Sequence, residues 1–159
     1  MGKVLLAAAV VVTAAVVVGG ARVWASQDVE TPAYQVEATQ GAFEVRQYPA
    51  LVAAQVDRQG DRGAAVRAAF SPLAGYIFAK DRPGEKIAMT APVTQEPDDN
   101  GWTVSFIMPE GRTLADLPAP AGDVSLGDIP PRRMAAMTFS GRWTDARFKR
   151  HSDQLLAWV

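Results

Sequence analysis

From Val4 to Val18 the chain is a run of fifteen residues in which only Thr13 is not aliphatic, and Gly19, Gly20 and Ala21 extend it to Arg22. A helix that packs on a globular core is apolar along one stripe; this segment is apolar all round, which sets it apart from any such core. The eighteen residues from Val4 to Ala21 would reach about 27 Å as a helix, close to the roughly 30 Å of a bilayer core. Lys3 and the amino terminus precede the run, which keeps its start cytoplasmic and places the rest of the chain outside. Residues 1–25 are therefore expected to anchor the chain in the cytoplasmic membrane through residues 4–21, single-pass, with the domain on the outer (periplasmic or extracellular) side. The competing expectation is a signal peptide cleaved after the small residues around Ala25, which would release a secreted domain.

The remainder suffices for one domain with a real core and not for two. Beyond residue 25 there are 14 basic against 17 acidic residues, a net charge of −3. That balance disfavours nucleic acid as a partner, because phosphate binding needs a basic face. The chain has no cysteine and one histidine, His151. Disulfides, thiolate metal sites, thiol catalysis and a lipidated cysteine are excluded, and one chain cannot supply a Ser-His-Asp triad beside a His-rich metal site.

Ser26 to Ala38 is acidic, contains Pro32 and has little periodicity, so it reads as a linker before a domain at 39–159. Phe43 to Tyr48 alternates apolar and polar residues and predicts a half-buried strand, continued by Leu51 to Val56. Gly60-Asp61 interrupts the strand, and Asp61 suits the N-cap of a helix whose buried stripe would be Val66, Phe70, Leu73 and Ile77. Pro72 lies inside that pattern and predicts a kink or break, with Ser71 capping a second piece. Ile87, Met89, Ala91 and Val93 alternate as one face of a further strand. Pro97 to Gly101 makes a hairpin turn, and Trp102 to Met108 returns from it. After a loop from Pro109 to Gly122, Val124 to Ile129 and Arg133 to Phe139 read as extended pieces. Thr144 or Asp145 then starts a helix with Phe148, Ser152, Leu155 and Val159 on one side. The order is strand, helix, strand, strand, then strand and helix: one βαββ unit and most of a second.

Within these elements, Phe43-Glu44-Val45-Arg46-Gln47-Tyr48, Leu73-Ala74-Gly75-Tyr76-Ile77-Phe78 and Glu85-Lys86-Ile87-Ala88-Met89-Thr90-Ala91-Pro92-Val93 resemble the signatures of the SOUL haem-binding protein family. Trp102 to Pro109, Leu117-Pro118-Ala119-Pro120 and Phe139-Ser140-Gly141 follow in matching type and order. The resemblance covers Thr31 to Gly141 well and the last helix loosely, and the run from Lys86 to Val93 is its most specific piece. It implies an α+β fold: a distorted antiparallel β-barrel built from two βαββ repeats, similar to the ligand-binding domain of gyrase-inhibitor-like proteins. It also implies haem or another tetrapyrrole as cofactor, bound in an apolar groove near the first helix by a carrier or buffer with no catalytic residues.

Carried onto this sequence, the resemblance makes Arg67 the basic residue that would pair with a propionate. Phe70 and Leu73 would line the groove, and Ala69 and Ala74 would leave room for a flat macrocycle. One branch of the family has a histidine, proposed as an iron ligand, where Gln47 stands; Gln47 is a poor ligand for haem iron. Met89 and His151 are then the remaining iron-ligand candidates, both weak, because packing explains a methionine on an apolar strand face and a histidine beside a helix stripe better than ligation does. Family members continue into a final hairpin, whereas this chain stops at Trp158-Val159, so the second repeat is expected to be incomplete and to leave a sheet edge through which the domain could form a homodimer. Two other function classes stay open: a membrane-anchored interaction or structural domain without ligand, and a hydrolase on the same fold with Glu85 or Glu44 as base.

Overall fold

In the computed structural model, residues 29–141 and 144–159 are described. The anchor at 4–21 and the cleavage position near Ala25 lie outside them, and among the described residues no helix is long and apolar enough to cross a membrane. The elements run β1 (Gln35–Gln40), β2 (Phe43–Tyr48), β3 (Leu51–Gln59), α1 (Arg62–Ile77), β4 (Val93–Pro97), β5 (Gly101–Ile107), β6 (Ser125–Ile129), β7 (Arg132–Met137) and α2 (Asp145–Trp158).

The frame is one long antiparallel ribbon. Phe43 to Tyr48 pairs with Met137 to Arg132, and Leu51 to Gln55 pairs with Ile129 to Ser125 in the same register. Between the two ladders, Pro49 falls opposite Pro131 and Ala50 opposite Pro130. Proline has no N–H to donate, so the ladder is interrupted on both strands at one level. The ribbon thereby splits into two sheets, ordered β1-β2-β7 and β4-β5-β3-β6. They are antiparallel throughout but do not close, which corrects the expected barrel: β1, β7, β4 and β6 each pair on one side only. The α+β class and the βαββ order of β3, α1, β4 and β5 stand.

Side chains alternate across each strand. On the second sheet Ala54, Val56, Val104 and Phe106 face α1 and form the main core with Ala69, Leu73, Tyr76 and Ile77. Ala53, Ile107 and Ile129 make a smaller cluster with Leu51 on the opposite face. On the first sheet Phe43 turns toward α2, where the Trp158 ring stacks on it at 5.2 Å. Both helices thus lie on one side of the bent ribbon. Arg62 ties their first turns together through a 2.7 Å contact to Asp145 and by lying over the Phe148 ring.

Several local expectations are corrected. Helix α1 runs unbroken through Pro72; the carbonyl of Ala68, which the proline cannot serve, sits on an exposed turn where water can. Gln35–Gln40 is a strand rather than linker, fully exposed and held by pairing to β2. Ile87 to Pro92 is not a strand. Its backbone and side chains bond elsewhere, Ile87 N–H to the Ile77 carbonyl and the Thr90 hydroxyl to the Ile107 carbonyl. Asp61 and Thr144 cap the two helices as expected, accepting from Ala64 and Arg147 N–H.

Candidate functional site

Helix α1 buries Ala65, Ala69, Leu73, Tyr76 and Ile77, a stripe made of small residues early and large ones late. On another face Gly63, Arg67, Phe70 and Ala74 recur at intervals of three and four, so they line up along the axis. Arg67 is exposed, and among the described residues no hydrogen bond or ion pair holds its guanidinium. It leans over Gly63, where a Cβ would stand 3.4 Å from Nη1. Phe70 is 45% exposed, contrary to the expected buried stripe, because it sits at the margin of the helix–sheet contact. Its ring meets the edge of Phe106 at 5.5 Å. Ala74 is half-buried.

Leu73 is the correction within this set. It is completely buried among Val56, Val104 and Ile77, which makes it core and not groove wall. Arg67, Phe70 and Ala74 share an accessible surface; Leu73 supports it from below.

The two iron-ligand candidates lie elsewhere. His151 is on α2, with its ring stacked 4.0 Å from Phe139 and its Nδ1 3.0 Å from Gln154 Oε1. Its Nε2 is enclosed by protein, so neither nitrogen is presented to a macrocycle on α1. Met89 is 40% exposed in the loop between α1 and β4. Gln47 is half-buried on the α2 side of β2 and donates to its neighbour's carbonyl. Among the described residues no group of three or more acidic or histidine side chains is placed to hold a metal ion.

Arg82 fixes the end of α1. It is buried, donates to the carbonyls of Tyr76, Pro83 and Glu85 at 2.9, 3.0 and 2.9 Å, and lies over the Tyr76 ring. Helix C-termini leave carbonyls without intrahelical partners, and one guanidinium here gathers the Tyr76 carbonyl and two from the following turn. Tyr76 donates in turn to the Pro118 carbonyl at 2.9 Å. Burial pushes the Tyr76 phenol pKa up, partly offset by Arg82.

On the far side of the sheets, where the ribbon bends, lies a cleft with a cavity of about 110 Å³. Leu51, Ile107 and Met134 form its floor, and Tyr34 and Tyr48 stand 5.2 Å apart along one wall. Arg46 and Arg132 both line it. Arg46 is buried, donates to Glu44 at 2.6 Å and lies 4.3 Å over the Tyr34 ring. Burial alone would lower its pKa; hydrogen bonds to Tyr48 and Glu44 outweigh that and raise it. Arg132 pairs with Glu96 at 3.0 Å through Nη1, while its Nε is enclosed and has no hydrogen-bond partner among the described residues.

A family model for SOUL heme-binding proteins matches residues 29–159. The chain belongs to that family. It is also 31% identical over 136 residues to the human protein Heme-binding protein 2, an alignment that covers 77% of this chain and 66% of the human protein. This SOUL-family chain thus spans just under two thirds of that relative's length. The cleft has no mark in the sequence: Arg46 falls in the polar half of an alternating strand, and Arg132 follows two prolines with no motif around it. The pairing of β2 with β7 brings the two onto one sheet face.

Proposed function

We propose that this SOUL-family domain binds haem or a related tetrapyrrole without catalysing a reaction, on the exposed face of α1. The observation that carries the reading is the exposed Phe70 ring beside Arg67, a guanidinium with no partner among the described residues, in a chain of a heme-binding family. A tetrapyrrole is flat, apolar and edged by carboxylates. Phe70 and Ala74 offer an apolar surface beside Phe106, and Arg67 offers a planar fork that can grip a carboxylate through two hydrogen bonds. Residues 4–21 hold the domain at the outer face of the cytoplasmic membrane. The open strand edges permit self-association by strand pairing, which sedimentation over a concentration series would detect.

The deciding experiment is titration of the full chain in lipid nanodiscs with hemin, read at the Soret band against empty nanodiscs. A shifted band that saturates at one equivalent is expected. Featureless uptake that does not saturate would overturn the reading in favour of an interaction domain without ligand.

A further inference from the structure

We propose that the cleft at the bend of the ribbon is a second, separate binding site, for a small carboxylate whose body is a single aromatic ring. It lies on the opposite face of the second sheet from α1: Ile107 and Leu51 face the cleft, whereas Phe106 and Ala54 face the helix. The inference is independent of the tetrapyrrole reading.

Charge carries the first part of the argument. Arg46 and Arg132 line the cavity, and among the described residues no acidic side chain does. The pairing of Arg46 with Met134 and of Tyr48 with Arg132 makes Arg46 and Arg132 diagonal neighbours on one sheet face, a spacing at which long side chains interact and like charges repel. Glu44 and Glu96 each answer one of them, but from outside the cavity. An anion in the cleft would offset that repulsion, and a carboxylate matches the planar geometry of a guanidinium.

Shape carries the second part. The tyrosine rings and the Leu51, Ile107 and Met134 side chains call for an apolar body. A dry cavity of about 150 Å³ takes up benzene, so a cavity of about 110 Å³ that opens to solvent holds at most one ring, part of which stays in its mouth. A four-ring macrocycle does not fit inside it.

The probe is para-fluorobenzoate, followed by fluorine NMR with the full chain in nanodiscs, beside the neutral para-fluorobenzyl alcohol. Saturable binding of the acid is expected, with the alcohol about tenfold to a hundredfold weaker, as expected for losing charge-assisted hydrogen bonds. Arg132→Met and Arg46→Met should each weaken the acid by a similar factor. Thr94→Phe fills the cavity from β4, leaves both arginines in place and should abolish binding with an unchanged circular dichroism spectrum. Equal binding of acid and alcohol would overturn the proposal, as would undiminished binding to folded Thr94→Phe. Stoichiometric displacement of the probe by hemin would overturn the claim of a separate site.

Discussion

Replacing Arg67 with alanine separates a ligand contact from a structural one. Arg67 is exposed and has no protein partner among the described residues. Surface substitutions away from caps, cores and special backbone positions stay within about 0.5 kcal/mol of neutral, so the thermal melt of Arg67→Ala should superimpose on that of the parent. If its fork grips a propionate, the lost charge-assisted hydrogen bonds cost about 1–3 kcal/mol, or roughly 5- to 150-fold in hemin Kd. Arg67→Lys keeps the charge but not the fork and should fall between. Arg112→Ala is the control: its side chain already pairs with Glu85 at 2.6 Å on a distant loop, and its removal should leave hemin affinity nearly unchanged. Kd values come from Soret titration of all four proteins. Equal losses in Arg67→Ala and Arg112→Ala would reduce the effect to general electrostatics and refute a specific propionate contact, as would an unchanged Kd in Arg67→Ala.

Four further outcomes are expected. Leu73→Ala should destabilise by about 2–5 kcal/mol in chemical denaturation, the range for a fully buried leucine, and not by the small amount expected of a ligand-facing wall residue. Arg82→Ala removes three donors, one from a buried carbonyl and two from part-buried ones, and should cost about 1–3 kcal/mol in the same assay. Tyr76→Phe should cost about 1 kcal/mol at neutral pH for the lost bond to Pro118. Because burial raises the Tyr76 pKa, the parent's extra stability is fully present below the unfolded tyrosine value near 10 and declines as pH rises through the higher folded value; denaturation at stepped alkaline pH should show that decline in the parent and not in the variant. The full chain should stay in the membrane pellet through high-salt and carbonate washes, and a soluble species starting near Ser26 would instead show a cleaved signal.

What the sequence disclosed and what it hid follow from one physical distinction. Phe43 to Tyr48, Trp102 to Ile107 and the two helices each bury one face, and burial writes a period into the sequence. Strand β1 buries nothing: all six residues are exposed, it is held by backbone pairing to β2 and by two surface contacts, Glu37 to Arg133 and the Trp158 indole to Gln40, and hydrogen bonding of the main chain leaves no periodic mark on side-chain choice. The converse case is Ile87 to Pro92, where the alternation has no strand behind it. Its buried residues are Ile87 and Thr90, three apart, and both anchor a loop. Within the candidate site, resemblance carried Arg67, Phe70, Leu73 and Ala74 as a block, and only packing could separate the completely buried Leu73 from the exposed Phe70.

The two surfaces proposed for ligands are made from the same strands. On β5, Phe106 backs Phe70 on the helix side while its neighbour Ile107 floors the cleft; on β3, Ala54 faces α1 and Ala53 the other side. A shift of one residue in the pairing of β3 with β5 would exchange these roles and turn every side chain to the wrong face. That register is therefore held more firmly than either surface alone would require. β3 is paired along both edges, to β5 over Ala53 to Gln59 and to β6 over Leu51 to Gln55. Gly101 locks the far end, where a Cβ would collide with the Arg58 carbonyl, so no larger residue can slide into its place. Each helix-side substitution can then be tested for its own effect, because a strand fixed on both edges does not slip to accommodate it. The opposite surface moves only when the sheet itself comes apart.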